Sequence, residues 1–331
     1  MNPLLTLDSL STSFLTSDGP APAVDAVSFT VTEGETLGLV GESGCGKTVL
    51  SLSILGLVPK PGQVTGGRVV FEGADLAAMP QETLRRVRGA KIGMIFQEPM
   101  TSLNPVMRVG RQVAEPLVLH GGISQAQALG RVRELFGQVG LPDSKRLLAA
   151  YPHELSGGMR QRVMIAMALA CGPRLLIADE PTTALDVTIQ RQILDLLAKL
   201  GEKRGMAMLL ITHNLGVVAR TCERVGVMYA GRLVEMSPVG ALFDEPLHPY
   251  TQGLLASLPG LGGVRKRLTP IAGMVPPLAE LPTGCHFHPR CPYAFGPCAT
   301  TIPPTFRPQE GREVRCWLFD QGSGGRGGSR T

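Results

Sequence analysis

Gly41-Glu42-Ser43-Gly44-Cys45-Gly46-Lys47-Thr48 is the stretch that decides the fold, because it fits the pattern G-x-x-x-x-G-K-[ST] at every position. An apolar run, Leu37 to Val40, precedes it, and a helical pattern follows it. Glycines let the backbone of such a loop curl so that its N–H groups point at phosphate oxygens, and the helix N-terminus adds positive potential. The stretch therefore predicts a phosphate-binding loop, in which Lys47 reaches the β- and γ-phosphates and Thr48 supplies a hydroxyl to Mg²⁺.

A second apolar segment, Leu175 to Ala178, ends in two carboxylates, Asp179 and Glu180. At a strand end beside a phosphate loop, Asp179 is predicted to lie near the metal ion. Glu180 is then predicted to lie near the γ-phosphate, where it polarises an attacking water. Taken alone, these residues are equally typical of a solvated acidic turn. The phosphate loop is what favours the catalytic interpretation.

Length and composition set the class of protein. The chain has 331 residues, of which 44% are hydrophobic and 18% charged, so it can bury a core and is not a disordered chain. Its net charge of +5 is mild and spread out, which argues against a dedicated nucleic-acid binder. No apolar run approaches the roughly 20 residues of a membrane span, and the first residues lack a signal-peptide pattern. We therefore expect a cytoplasmic chain whose cysteines are reduced.

Apolar segments alternate with helical patterns as far as residue 236, which predicts an α/β domain over 1–236. Residues 107–170 read as mostly helical, with breaks at Gly121-Gly122, near Pro142 and near Pro152. Composition changes after about residue 237, where prolines become frequent and four of the seven cysteines follow. We predict a C-terminal extension over 237–320 and a disordered Gly/Arg tail over 321–331.

A third motif, Leu155-Ser156-Gly157-Gly158-Met159-Arg160-Gln161-Arg162, opens an apolar helix. Ser156 fits an N-cap, and the two glycines after it let the backbone approach a phosphate. With the other two motifs in this order, residues 4 to 236 resemble the nucleotide-binding subunit of an ATP-binding cassette (ABC) transporter. The resemblance implies a P-loop NTPase fold with a helical subdomain at about 98–160. It also implies that Ser156, Gly157 and Gly158 face the ATP held by the other subunit of a head-to-tail dimer.

The resemblance assigns roles to further positions one by one. Gln97 resembles the glutamine that contacts Mg²⁺ and the attacking water, and His213 resembles the switch histidine at the γ-phosphate. Asp186, in Ala184-Leu185-Asp186, resembles the loop that crosses the dimer interface, and Phe14 resembles the aromatic residue that stacks on adenine. Every catalytic position is intact, so the resemblance implies an ATPase that uses ATP and Mg²⁺.

Two further stretches, residues 97–105 and His248-Pro249-Tyr250-Thr251, resemble the oligopeptide/dipeptide/nickel uptake branch of the family. Members of that branch import their cargo with two transmembrane permease subunits and an extracytoplasmic substrate-binding protein. They commonly pair two different ATPase subunits, so the expected partners include a second ABC ATPase but no nucleic acid. The resemblance implies peptide import at the cytoplasmic face of the cell membrane. Import of nickel or another small solute, or a non-transport ABC ATPase, is the alternative.

Cys285, Cys291, Cys298 and Cys316 in the extension are spaced C-x5-C-x6-C-x17-C. Four thiolates can hold zinc or an iron–sulfur cluster, but this spacing matches neither paired zinc knuckles nor the common ferredoxin runs. His286 and His288 can compete for a ligand position. The extension resembles the C-terminal domain of peptide-uptake ATPases, in which four cysteines can hold a [4Fe-4S] cluster. This resemblance favours iron–sulfur, with zinc and free thiols as alternatives.

Overall fold

The computed structural model describes residues 3–17, 19–97, 102–183, 185–257 and 271–320. The tail predicted over 321–331, residues 98–101 of the branch-specific stretch, and Ala184 lie outside the described residues. Contacts within the chain define two units, and the stretches that form each unit alternate along the sequence. The first unit comprises Met1–Thr6, Thr30–Thr36 and Val69–Thr212, and the second comprises Leu7–Phe29, Leu37–Arg68 and His213–Thr331. The domain boundary near residue 237 stays a prediction.

The strands of the described residues are β1 (Leu5–Thr16), β2 (Gly19–Val31), β3 (Thr36–Val40), β4 (Gly62–Phe71), β5 (Ala74–Asp75), β6 (Ile92–Ile95), β7 (Leu175–Asp179), β8 (Ala207–Ile211), β9 (Arg224–Tyr229), β10 (Arg232–Pro238), β11 (Phe306–Gln309) and β12 (Arg312–Val314). The helices are α1 (Lys47–Ile54), α2 (Gln81–Val87), α3 (Val109–Gly121), α4 (Gln125–Gln138), α5 (Ser144–Leu147), α6 (Gly157–Ala168), α7 (Val187–Arg204), α8 (Leu215–Thr221), α9 (Val239–Asp244) and α10 (Pro249–Ala256). Across the described ranges, no helix is both long and apolar enough to cross a membrane.

The first unit contains three parallel strands in the order β6-β7-β8. Every residue of β7 and β8 is buried, as expected for a parallel sheet covered on both faces. Ile95 pairs with Ala178, and Asp179 pairs with Ile211. Because the strands are parallel and in register, the segments that follow β6 and β7 leave the sheet at the same edge.

The segment predicted to be helical forms α3 to α6 in the same unit. Helix α3 is followed by Gly122 in a left-handed conformation with φ of 63°, so the predicted break at Gly121-Gly122 is confirmed. Helix α4 then begins with a capping box, in which Ser124 Oγ accepts from the Gln127 N–H and the Gln127 side chain accepts from the Ser124 N–H. Buried side chains such as Phe136 form the inner face of α4.

In the second unit, β3 pairs in parallel with β9, and β9 and β10 form an antiparallel hairpin. Strand β12 pairs with the outer side of β10, and β11 pairs with β12. Two strands of the C-terminal extension thus continue the sheet that carries the phosphate loop. The long strands β1, β2 and β4 were not predicted, because no continuous apolar run marks them and most residues of β4 are exposed or only partly buried.

Candidate functional site

Close backbone contacts that only glycine permits shape the phosphate loop, Gly41 to Thr48. A Cβ atom on Gly41 would lie 2.2 Å from the Met228 carbonyl oxygen, and one on Gly46 would lie 2.3 Å from the Ala23 carbonyl oxygen. Gly46 is also the N-cap of α1, with φ of 101° and no side chain to cap the helix. The first N–H groups of α1 are therefore available to an anion rather than to a capping side chain.

Lys47 folds back onto the loop that precedes it. Its Nζ atom donates to the Gly41 carbonyl oxygen at 2.8 Å and to the Glu42 carbonyl oxygen at 3.0 Å, and the residue is 5% exposed. These carbonyl groups satisfy a buried ammonium group and hold it inside the curve of the loop. Cys45 is buried there, and burial raises the pKa of its thiol, in agreement with a small neutral loop residue. The curled backbone and the enclosed ammonium group fit a polyphosphate.

The acidic strand end places its two carboxylates differently. Asp179 is 1% exposed as the last residue of β7, whereas Glu180 turns out of the strand with a left-handed φ of 45°. Such backbone strain in a non-glycine residue is typical of functional positions. Glu180 Oε2 accepts hydrogen bonds from Thr183 Oγ1 at 2.8 Å and from Gln97 Nε2 at 3.3 Å. The structure thus brings together Gln97 and Glu180, two residues to which the resemblance assigned catalytic roles.

The signature motif opens α6 as its sequence suggested. Ser156 is the N-cap of this helix, and its Oγ accepts from the Met159 N–H at 3.4 Å. A Cβ atom on Gly158 would lie 3.1 Å from Cγ2 of Ile189, so the first turn of α6 lies close to α7. The N-cap predicted at Ser156 is confirmed, while its role toward a partner's ATP stays a prediction.

Asp186 is the N-cap of α7, and its carboxylate accepts from the Ile189 N–H at 2.9 Å. Sequence analysis missed Gln161, a buried residue of α6 whose Nε2 donates to the Pro181 carbonyl oxygen at 2.6 Å. This bond ties the signature helix to the turn that carries Glu180. The only available signal was the position of Gln161 within the signature motif.

Phe14 and His213 complete the predicted set of site residues. Phe14 is half-buried on β1, where its ring lies against the backbone of Gly62. His213 is exposed, and the next residue, Asn214, caps α8 by accepting from the Gly216 N–H at 3.0 Å. The roles of Phe14 at adenine and of His213 at the γ-phosphate stay predictions. The phosphate loop, Phe14 and His213 belong to the second unit, and Gln97, Ser156, Asp179, Glu180 and Asp186 belong to the first.

All four cysteines of the extension line one small cavity, together with His288. Burial raises the pKa of Cys291 to about 11 and that of Cys316 to about 12. His286, by contrast, engages the Ala230 carbonyl oxygen through Nδ1 at 2.8 Å. In the described part of the chain, no group of three or more His, Cys, Asp or Glu side chains is arranged to hold a metal ion.

Comparison with known proteins decides the family. A family model described as ABC transporter matches residues 24–183, and one described as oligopeptide/dipeptide transporter, C-terminal region, matches residues 234–298. The chain is 49% identical over 322 residues to the oligopeptide transport ATP-binding protein AppD of Bacillus subtilis, covering 97% of this chain and 98% of that protein. It is 48% identical over 313 residues to the dipeptide transport ATP-binding protein DppD of Escherichia coli, covering 95% and 96%.

The chain belongs to the ABC transporter family. It is therefore an ABC-type ATPase with a cassette fold of mixed α/β sheets, as the resemblance implied. Among solved structures, the chain is similar to the dimeric ATP-binding cassette MJ0796 in a post-hydrolysis state bound to ADP and Pi. The TM-score is 0.64 at 29% identity, and the match covers 71% of this chain and 98% of that cassette.

Proposed function

We propose that this ABC ATPase powers the import of di- or oligopeptides. The observation that carries the proposal is the presence, in one chain, of an ABC cassette and of a C-terminal region described for oligopeptide/dipeptide transporters. Relatives named for oligopeptide and dipeptide transport match almost the whole chain. The subunit acts at the cytoplasmic face of the membrane, bound to two permease subunits that receive peptide from an extracytoplasmic binding protein.

The phosphate loop binds the triphosphate of ATP through its backbone N–H groups and the Lys47 ammonium group. The Thr48 hydroxyl, the Asp179 carboxylate and the Gln97 amide oxygen are hard oxygen donors, the kind that Mg²⁺ prefers, so these residues fit that ion. When bound, Mg²⁺ neutralises charge on the phosphate oxygens. The Asp179 carboxylate suits this task because it is buried at a fixed strand end.

Glu180 is the residue that orients the attacking water and accepts its proton. A bond forms between the water oxygen and the γ-phosphorus, the bond from that phosphorus to the bridging oxygen breaks, and ADP leaves with inorganic phosphate. The hydrogen bonds from Thr183 and Gln97 hold one oxygen of the Glu180 carboxylate in place. His213 stabilises the charge on the γ-phosphate. Catalysis rests on this positioning and on electrostatic stabilisation.

Two ATPase subunits, which are different paralogues, close around two ATP molecules. Ser156, Gly157 and Gly158 at the start of α6 contact the γ-phosphate of ATP held by the other subunit, and the loop at Asp186 crosses the interface. The dimeric form of the similar cassette MJ0796 supports this arrangement. ATP favours closure because the γ-phosphate makes contacts that exist only in the closed dimer, and hydrolysis removes them.

ATP hydrolysis by the transporter reconstituted in proteoliposomes tests the proposal. The chain is purified from membranes with the two polytopic subunits that accompany it, reconstituted, and supplied with its binding protein. We expect ATP hydrolysis to rise when the binding protein carries a dipeptide or an oligopeptide. Stimulation by nickel alone, or a chain that never purifies with membrane subunits, would contradict peptide import. Lys47→Ala serves as the control for hydrolysis by contaminating ATPases.

We also propose that the four cysteines of the extension hold a [4Fe-4S] cluster. They line a single cavity, which supports a common ligand. A four-iron cluster takes one thiolate from each of four cysteines, and the number of cysteines around this cavity matches that requirement. Four thiolates can also hold zinc, and the resemblance of the extension to the C-terminal domain of peptide-uptake ATPases favours iron–sulfur.

Purification without oxygen tests the cluster directly. The protein is expected to be brown, with about four irons and four sulfides per chain. Cys298→Ser should lose the colour and the iron, whereas Cys171→Ser, outside the extension, should keep both. Colourless protein with one zinc per chain would identify the runner-up metal, and protein with neither would leave four free thiols.

A further inference from the structure

Two residues from outside the phosphate-loop motif hold the phosphate loop. Arg290 ends the short 3₁₀ helix that lies just before Cys291. Its guanidinium group forms a two-pronged ion pair with the Glu42 carboxylate, from Nη1 to Oε2 at 2.7 Å and from Nη2 to Oε1 at 3.1 Å. Tyr250 of α10 accepts a hydrogen bond from the Glu42 backbone N–H at 2.8 Å. Since Glu42 is the second residue of the loop, both contacts act on the loop itself.

The Arg290 guanidinium group has an acceptor for each of its five N–H groups. Besides Glu42, it donates to the Ala272 carbonyl oxygen at 2.8 Å, to the Gly273 carbonyl oxygen at 3.2 Å and to the Tyr229 hydroxyl at 3.3 Å. The side chain is only 7% exposed. Lysine has three donors and no planar fork, so it cannot make this set of bonds. The surroundings of residue 290 are specific for arginine.

Tyr250 is held as firmly as Arg290. It is fully buried, and its ring centre lies 4.7 Å from that of Tyr229 and 5.3 Å from that of Phe287. Burial raises the pKa of Tyr250, which keeps its hydroxyl a neutral phenol. The N-cap of α10, His248, fixes the start of the same helix by accepting from the Tyr250 N–H at 3.0 Å. Tyr250 therefore presents a fixed acceptor to the loop.

We infer that Arg290 and Tyr250 are positioning residues for ATP binding, which act on the phosphate loop through Glu42. Glu42 is fixed at its N–H by Tyr250, at its side chain by Arg290 and at its carbonyl oxygen by Lys47. A backbone fixed in this way before ATP arrives loses less freedom on binding. Arg290 also neutralises a carboxylate that would otherwise repel the polyphosphate. The inference depends on ATP binding by the loop, and it does not depend on peptide import.

Binding of a fluorescent ATP analogue to the purified full-length chain measures the effect. Arg290→Gln is expected to raise the Kd for the nucleotide about tenfold, because the Glu42 carboxylate then stands unpaired beside the phosphate site. Arg290→Lys should raise it by a smaller factor, since it keeps a charge and loses the fork. At saturating ATP, kcat should change by less than about twofold, because the lost interaction affects binding rather than the transition state. Arg307→Gln is the matched control, since Arg307 pairs with Glu313 in an exposed ion pair of the same extension.

Two further variants separate the effect of charge from that of geometry. Glu42→Gln combined with Arg290→Gln should bind nucleotide more tightly than Arg290→Gln alone, because the repelling carboxylate is gone. Tyr250→Phe should raise the Kd about threefold by leaving the Glu42 N–H without its acceptor. Tyr293→Phe is its control, since Tyr293 is 54% exposed in the same extension.

The fluorescence of Trp317, the one tryptophan of the chain, shows whether each variant still folds its extension. For folded variants, an unchanged Kd in both Arg290→Gln and Arg290→Lys would overturn the inference. So would single effects of Arg290→Gln and Glu42→Gln that simply multiply in the double variant. If Arg290→Gln does not fold, Arg290→Lys and Tyr250→Phe decide the question by the same measurement.

Discussion

The phosphate loop and the acidic strand end are each marked by a short motif, yet the structure holds them by different means. Glu180 is held by residues of its own neighbourhood in the fold, such as Thr183 three positions later and Gln97 after the adjacent parallel strand. Glu42 in the phosphate loop is held by Tyr250 and Arg290, which are 208 and 248 positions away. The Glu180 carboxylate therefore depends on the geometry of two adjacent strands, whereas the loop depends on residues more than 200 positions away.

This difference assigns separate tasks to the two regions. Changes near Glu180 should affect the rate of hydrolysis and leave nucleotide affinity alone, because the role we propose for Glu180 is to orient the attacking water. Changes in the region behind the phosphate loop, by which we mean the described residues of 235–320, should affect nucleotide affinity and folding stability before they affect the rate of hydrolysis.

Replacing Glu180 with glutamine should give the largest effect. The Glu180→Gln variant keeps the shape of the side chain but cannot accept a proton, so we expect kcat to fall about a thousandfold. ATP affinity should stay within about twofold of wild type, and ATP-bound dimers should accumulate. Turnover assays and size-exclusion chromatography with ATP measure both. Glu134→Gln, on the exposed face of α4, is the control, and wild-type turnover in Glu180→Gln would remove Glu180 from its role.

Replacing Glu235 with alanine should give the largest loss of stability in the region behind the loop. The buried Glu235 carboxylate accepts from the Leu247 and His248 N–H groups, both at 2.9 Å, and lies 3.7 Å from Arg312. Its removal leaves the two N–H groups without their acceptor and takes from the buried Arg312 one of its two nearby carboxylates, since Arg312 also lies 3.7 Å from Glu245. We expect the free energy of unfolding, followed by Trp317 fluorescence, to fall by about 3 kcal/mol.

Measuring kcat in the Glu235→Ala variant shows whether a loss of stability in this region also affects hydrolysis. At temperatures where the Glu235→Ala variant is folded, kcat at saturating ATP should stay near that of wild type. Glu313→Ala, which removes an exposed ion pair from β12, should cost less than about 1 kcal/mol. A large drop in kcat without loss of stability would show that the two regions are not separate.

The sequence predicted the parts of the site whose chemistry is local. Ser156 was predicted to cap a helix and does so, because a short polar side chain can reach an N–H group three residues on. Asp186 caps α7 in the same way, although the sequence assigned it only to an interface loop. Gln97 and Glu180 lie close together because each follows one of two adjacent parallel strands, β6 and β7, which end at the same edge of the sheet. The N-caps depend on spacing along the chain, which a sequence shows directly, whereas Gln97 and Glu180 are 83 positions apart and meet because β6 and β7 pair in parallel.

The contact of Arg290 with Glu42 has no such signal. It joins residues far apart in sequence, and it exists only because β9, α10 and the turn before Cys291 fold into one cluster of buried aromatic side chains. The strand β2 was also missed, because Pro20 and Pro22 in it favour a turn or an edge when read locally. Both the Arg290–Glu42 contact and strand β2 are therefore set by tertiary packing rather than by local sequence.

Replacing Thr183 tests how far its hydrogen bond to Glu180 supports hydrolysis, and we expect a smaller loss of kcat than for Glu180→Gln. Its hydroxyl donates to Glu180 Oε2 at 2.8 Å, and a hydrogen bond to a charged group contributes about 1.5 kcal/mol. The Thr183→Ala variant should therefore lose up to about tenfold in kcat, with an unchanged Kd for ATP. Thr183→Ser keeps the hydroxyl and should restore the rate. A raised Kd in Thr183→Ala with normal kcat would contradict the proposed orientation of Glu180.

Acidification should give the smallest effect, a loss of folding stability that arises in the region behind the phosphate loop. Burial lowers the pKa of His248 from 6.5 to about 3, so the folded chain keeps this imidazole neutral where the unfolded chain binds a proton. The unfolded state thus binds more protons between about pH 6.5 and pH 3, and stability falls as pH decreases through that window. At pH 5.5 the loss is about 1.4 kcal/mol relative to pH 7.5, and burial of His286 shifts its pKa in the same direction.

The His248→Asn variant isolates the contribution of His248. Asparagine can still accept the Tyr250 N–H as an N-cap, but it does not titrate. The difference in unfolding free energy between pH 7.5 and pH 5.5, followed through Trp317, should therefore shrink by about 1.4 kcal/mol in this variant. His153→Asn, at an exposed position of the other unit, should leave the difference unchanged. Equal pH dependence in wild type and His248→Asn would mean that His248 is protonated in the folded chain, and the fixed start of α10 that supports Tyr250 would then lose its basis.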